Sequence, residues 1–356
     1  VRIASVLVLV GWSAVAHAEV TVGGAVGAGG QGAATYSAVE ARLDASWSAG
    51  RVGLGARGVW LDGELRTSDW EGWKALRVLR LFEAHDRSHG LAIAAGGLAP
   101  AQLGHVADGY RATLDDRPRT GVRGAVTTTQ LALGIEIDDV IEPHLIGGAI
   151  EVGTAVIGCA SAAVDPAGVG AIEGCVARRW ARTGARLDAG GGVVGEWLED
   201  GNGVAALGFL RGALDAGGAR WTGEAEVRAG GGSVGGVFGP LHRIERHVDG
   251  QGVGAAAAIG VSGSRGWTRA FARYRAAGAI GGISAGAPAG KWFQVAGWFA
   301  ASKRDAAGAA ELRISWAKRL TSALEVGRIY DVEAMDVTPR WTVTAWFAIQ
   351  QERREF

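Results

Sequence analysis

Arg340-Trp-Thr-Val-Thr-Ala-Trp-Phe-Ala-Ile-Gln350 is the stretch on which the fold turns. Its odd positions, Trp341, Val343, Ala345, Phe347 and Ile349, are all apolar. Its even positions, Thr342, Thr344, Trp346, Ala348 and Gln350, are mixed and more polar. Successive side chains on a strand point to opposite faces, so about ten residues here make one greasy face and one wetter face. A tilted strand of that length crosses the hydrocarbon of a bilayer.

The same alternation runs upstream. In residues 37–47, Val39, Ala41, Leu43, Ala45 and Trp47 oppose Glu40, Arg42, Asp44 and Ser46. After a turn at Ser48-Ala-Gly50, Val52, Leu54, Ala56 and Trp60 form the next apolar face. Residues 127–137 place Leu131, Leu133, Ile135 and Ile137 on one side, and residues 146–158 read as one further strand. In residues 219–230, Trp221, Ala225 and Val227 oppose Glu224, Glu226 and Arg228. Residues 75–84 and 90–98 make another pair, and residues 66–74 read as a loop. At about 20 residues per strand with its share of turn, the chain after residue 18 predicts an all-β fold. It is a transmembrane antiparallel up-and-down β-barrel of about 16 strands, within a range of about 14–18. No linker divides residues 19–356.

Composition agrees. Lys+Arg and Asp+Glu are 36 each, so the basic excess of a nucleic-acid binder is missing. Hydrophobic residues make up 48%, yet past the N-terminus they come in short alternating runs, which is how a membrane barrel carries its apolar content. The 60 Gly disfavour long helices and suit a tightly curved wall. The 14 Trp suit a membrane–water interface, where the ring is buried and the N–H stays wet; filling a soluble core is the alternative. Residues 1–18 read as a secretory signal, with Arg2, an apolar run, and the small-x-small site Ala16-His-Ala18. In an exported chain the two cysteines, Cys159 and Cys175, predict a disulfide; closing a loop of that size contributes about 3 kcal/mol in the chain-entropy model.

Motifs of other chemistries carry little weight. With so many glycines, the pattern Gly27-Ala-Gly29-Gly-Gln-Gly32 is expected by chance about once or twice, so no nucleotide fold follows. Gly231-Gly-Ser233-Val-Gly235 lacks the strand–turn–helix of a nucleophile elbow. His242, Glu245, His247 and Asp249 fit no standard zinc spacing. No catalytic residue, metal or cofactor is therefore assigned.

The signal segment, the alternation, the Trp usage and the terminal Phe356 together resemble bacterial outer-membrane β-barrels of the porin type. The resemblance implies a passive channel for small polar solutes or ions in a bacterial outer membrane. It also implies lipid around the wall, insertion by the barrel-assembly machinery, a possible homotrimer, and no nucleic-acid partner. A non-conducting structural or adhesive surface barrel is the alternative. In porin-like barrels one long loop folds into the lumen. Residues 100–123 are the most polar long connection, with Asp108, Arg111, Asp115, Asp116, Arg117, Arg119 and Arg123. They form either such a constriction or a solvated outer loop. Glu40, Arg42, Asp44, Arg186, Asp188, Glu224, Glu226, Arg228, Arg269, Arg273 and Arg313 are expected to face the lumen, as pore lining or as internal salt bridges.

Overall fold

Alternating residues settle into strands here because each strand finds lipid on one side and polar company on the other. The computed structural model describes residues 19–98, 101–110, 119–198, 201–230, 252–275, 278–302, 306–317, 320–331 and 336–351. The signal segment, His242, His247 and Phe356 lie outside them. The strands are β1 Glu19–Gln31, β2 Ala34–Trp47, β3 Gly50–Leu61, β4 Glu64–Leu65, β5 Leu79–Asp86, β6 Leu91–Gly96, β7 Ala101–Leu103 and β8 Ala107–Tyr110. Next come β9 Gly121–Thr127, β10 Leu131–Ile137, β11 Ile146–Gly153, β12 Val156–Asp165, β13 Val169–Arg182, β14 Ala185–Leu198, β15 Gly201–Ala216 and β16 Ala219–Gly230. The rest are β17 Gly252–Gly263, β18 Gly266–Arg275, β19 Gly278–Pro288, β20 Phe293–Ser302, β21 Ala306–Ala317, β22 Leu320–Asp331 and β23 Asp336–Gln351.

Each wall strand pairs antiparallel with its neighbours, and β1 pairs with β23 from Val20↔Gln351 to Gln31↔Arg340, closing the barrel. β4 only extends a hairpin on β3, and β7 and β8 pair with each other alone, so the wall has 20 strands. This corrects the expected 16. Residues 146–158 are two strands, β11 and β12, folded back after Gly153, whose φ of +117° suits glycine. Alternation does not reveal β9, β13 or β19. β19 is mostly Gly and Ala, and the inner face of β13 mixes Ala171, Cys175 and Ala177 with Glu173 and Arg179. Residues 66–78 carry two short 3₁₀ turns, Thr67–Asp69 and Gly72–Val78, and the strand expected from residue 75 starts at Leu79.

Connections at one end run only two to four residues, as at 48–49, 154–155, 183–184, 217–218 and 264–265. The connections 62–78, 97–120 and 138–145 leave from the other end. In outer-membrane barrels short turns face the periplasm and long loops face outward.

The side-chain distribution is the reverse of a soluble protein. Val26, Val227 and Phe347 are 50%, 53% and 50% exposed, while Asp188, Arg228 and Glu173 on the opposite faces are 0%, 1% and 3%. Trp47, Trp180, Trp221 and Trp316 sit outward near the short turns, and Trp60, Trp197 and Trp341 sit outward toward the other rim. Trp180 pairs with Leu187, so it and Trp197 are about ten residues apart along the wall. That is ~33 Å of strand, or ~25 Å of depth at the tilt of such barrels. Among the described residues no helix is long and apolar enough to cross a membrane. The belt excludes the water-soluble sandwich, whose apolar faces would be covered. Val343 stands outward near mid-height on β23. Val343→Arg should cost about 2–4 kcal/mol in urea titrations of the barrel folded into liposomes. A cost near zero would place that face away from lipid.

Candidate functional site

The interior is a charged surface narrowed by one inserted hairpin. β7 and β8 turn at Gly104 and fold back against the inner faces of β11, β12 and β13. Leu103, Val106 and Ala107 are buried there among Leu145, Ala163, Val169 and Ala171. A short apolar run inside a polar connection thus finds an apolar patch on an otherwise polar wall. Gly104 has a φ of +55°, and a Cβ on it would fall on Ser161 Oγ and 2.8 Å from Glu173 Oε2. Only glycine lets the tip approach this closely.

His105, at the tip, is held from three sides. Its backbone N–H donates to Glu173 Oε2 at 2.8 Å, and its Nδ1 lies 2.6 Å from Glu173 Oε1. Its ring packs on Phe209 with centroids 4.4 Å apart. Its carbonyl accepts from Arg228 Nη2 at 2.6 Å. Ser161 Oγ donates to the same Glu173 at 2.8 Å. Arg228 is itself fixed by Glu196 at 2.8 Å and by Glu226. The Cys159–Cys175 disulfide is formed. It joins directly paired residues of β12 and β13 on the inner face, next to Glu173. Cys175 Sγ lies near His105 and Glu173, but its bond to Cys159 leaves no thiolate for a metal.

Toward the short turns, Asp188 is fully buried and gathers Arg179 at 2.8 Å, Arg186 at 2.5 Å and Arg211 at 3.4 Å. Glu151 sits 2.5 Å from Arg211 and 3.3 Å from Arg179. Such a cluster offsets the cost of burying each charge. On the way up the wall Arg269 meets Glu224 at 2.6 Å, and Arg42 meets Asp44 at 2.7 Å.

The expected lumen residues take up several roles. Arg123 bonds Glu136 at 2.7 Å and remains a third exposed. Arg119 is buried beside Asp139 at 3.3 Å. Arg273 is buried with its guanidinium 5.4 Å over the Phe271 ring. Asp108 falls on β8. Arg111, Asp115, Asp116 and Arg117 lie outside the described residues. Sequence reasoning did not single out Glu173, Ser161, Phe209, Arg179, Arg211 or Glu151. For those on β13 and β15 the signal was position parity, since odd residues of both strands face inward.

At the long-loop rim a second network ties three connections. Arg77, fully buried, reaches Asp139 at 3.3 Å and Glu142 at 2.8 Å, and Lys74 reaches Glu142 at 3.1 Å. Burial opposes ionisation of Glu142, but the hydrogen bonds and charges of Lys74 and Arg77 outweigh it and hold the carboxyl at about 2, below its usual 4.5. A depressed carboxyl contributes stability that is full above its unfolded value and is lost as pH falls through the folded one. Glu142→Gln should therefore speed proteolysis of the 72–78 and 138–145 connections at pH 7. The two proteins should converge as pH drops from 4.5 toward 2. Equal cleavage at pH 7 would rule out the tie.

No family model matches the chain, and no curated protein matches it. Solved structures share its outline. A BenF-like porin from Pseudomonas fluorescens Pf-5 is 9% identical, covering 94% of this chain and 98% of its own at a TM-score of 0.37. Pseudomonas aeruginosa OccK3 (OpdO) is 8% identical, covering 96% and 99% at 0.39. Acinetobacter baumannii OccAB4 is 6% identical, covering 94% and 98% at 0.36. At such scores nothing about site or solute passes from those proteins to this one.

Proposed function

We propose that this chain is a passive channel of a bacterial outer membrane, carrying small polar solutes or ions through its lumen. The observation that carries the reading is the closed 20-stranded wall, greasy outside and charged inside. Barrels of 16–18 strands already enclose an aqueous path, so a wall of this size has room for water beside the hairpin. Polar solutes cross where fixed charges replace part of their hydration, and charges of both signs set a transverse field.

In this reading the chain is inserted by the barrel-assembly machinery after residues 1–18 are removed, and lipid surrounds the wall. The β7–β8 hairpin is the constriction. Glu224, Arg269 and Arg123 keep part of their surface toward the path. Glu226, Arg228, Arg273 and Arg119 are buried and act by holding the wall and the hairpin in place. Asp108, Arg111, Asp115, Asp116 and Arg117 belong to the same connection and complete its charge. The purified barrel in planar bilayers should give discrete conductance steps in KCl. A folded barrel that never conducts leaves the structural surface barrel in its place. Glu173→Gln weakens the hold on His105 and should raise the step size and the current noise. Unchanged steps and noise would mean that the hairpin does not set the narrow point.

A further inference from the structure

Away from the hairpin, the inner wall has a recess at the seam where β1 meets β23. β1 turns only small side chains inward there, Ala25 and Gly27 among them. Tyr36, Glu40 and Arg57 flank this floor on one side, Glu40 standing 3.7 Å from Arg80, and Glu311, Glu325 and Arg340 flank it on the other. The enclosed volume is about 170 Å³. At ~30 Å³ per water, that matches a solute of about six non-hydrogen atoms.

The charges around it are unevenly matched. The Arg340 side chain is only 10% exposed, and its Nε has no hydrogen-bond partner. Its nearest carboxylate, Glu325, stands 3.8 Å away, beyond hydrogen-bond reach. Its guanidinium lies 5.1 Å over the Tyr36 ring, and that of Arg57 lies 5.9 Å over the same ring. A buried cation with an unused donor is poised for an acceptor oxygen, and a guanidinium suits a carboxylate best. Glu325 and Glu311, 34% and 27% exposed, place negative charge beside Arg340 on the same side, Glu311 being shared with Arg313 at 2.8 Å. A simple anion would satisfy Arg340 and meet the glutamates around it. A simple cation would have the reverse difficulty. A solute with both charges a few atoms apart meets a guanidinium and a carboxylate at once.

We propose that this recess is a lumen subsite for a small zwitterion of the α-amino-acid type. Its carboxylate lies toward Arg340 and Arg57, and its ammonium toward Glu325 and Glu311. The assignment rests on the channel reading, because the solute reaches the recess through the lumen. Equilibrium dialysis of the folded barrel in detergent against radiolabelled alanine, acetate and methylamine tests it. Alanine should bind saturably, and the two singly charged probes should bind about tenfold more weakly or worse. Arg340→Gln should weaken alanine binding by a similar factor, roughly tenfold, through loss of the charge-assisted contact. Gly27→Val should do the same by occupying the floor, where a Cβ already comes 3.0 Å from Thr344 Oγ1. Both variants should keep the KCl conductance of the parent, which also shows that they fold. Acetate binding as tightly as alanine, or both variants binding alanine like the parent, overturns the subsite. A parent barrel that conducts and binds no alanine overturns the subsite alone. One that does not conduct overturns the channel.

Discussion

Everything in this molecule depends on the backbone hydrogen bonds between the first wall strand and the last. In hydrocarbon no water is available to an unpaired N–H or C=O, and each such group costs several kcal/mol. The ladder from Val20↔Gln351 to Gln31↔Arg340 removes the two edges that an open sheet would leave in lipid. Once the sheet has no edge, its side chains can be sorted inside out. Valines and phenylalanines face acyl chains, and the carboxylates and guanidiniums are turned to the interior.

Interior charge then divides into two kinds. Asp188 and Arg228 are almost wholly buried and are surrounded by opposite charge. Removing one partner of such a group leaves the other stranded, so these residues set structure before they set selectivity. Glu224 and Arg123 are paired yet partly exposed on the interior surface. A count of charged inward positions alone would have merged the two kinds.

The architecture was legible in the sequence because alternation survives wherever one face is lipid and the other polar. Glu40, Arg42 and Asp44 on β2, and Glu224, Glu226 and Arg228 on β16, could be assigned inward from parity alone. Parity is blurred on β13, where Ala171, Cys175 and Ala177 interrupt the inward polar face that Glu173 and Arg179 mark. It fails on β19, whose small side chains carry no contrast. The strand count fell short because turns as short as 48–49, 183–184 and 217–218 let a wall strand and its turn take fewer than the allowed length of about 20 residues. Whether the 100–123 connection turns inward could not be read from its charges, which suit a solvated loop equally. Leu103, Val106 and Ala107 turn residues 103–107 inward, and their partners lie on distant strands. That Glu173 would hold His105 carried no local mark, the two being 68 residues apart.

That separation bears on the order of assembly. The carbonyl of His105 meets Arg228, 123 residues further along the chain. Until β16 has joined the wall, the hairpin tip lacks its cationic clasp, and until β12 and β13 have joined, Leu103 and Val106 have no apolar seat. Loop closure over such distances comes late when contacts are non-local. The seat of the hairpin is therefore completed by strands far down the chain, so that a chain cut before β16 would leave its tip half held.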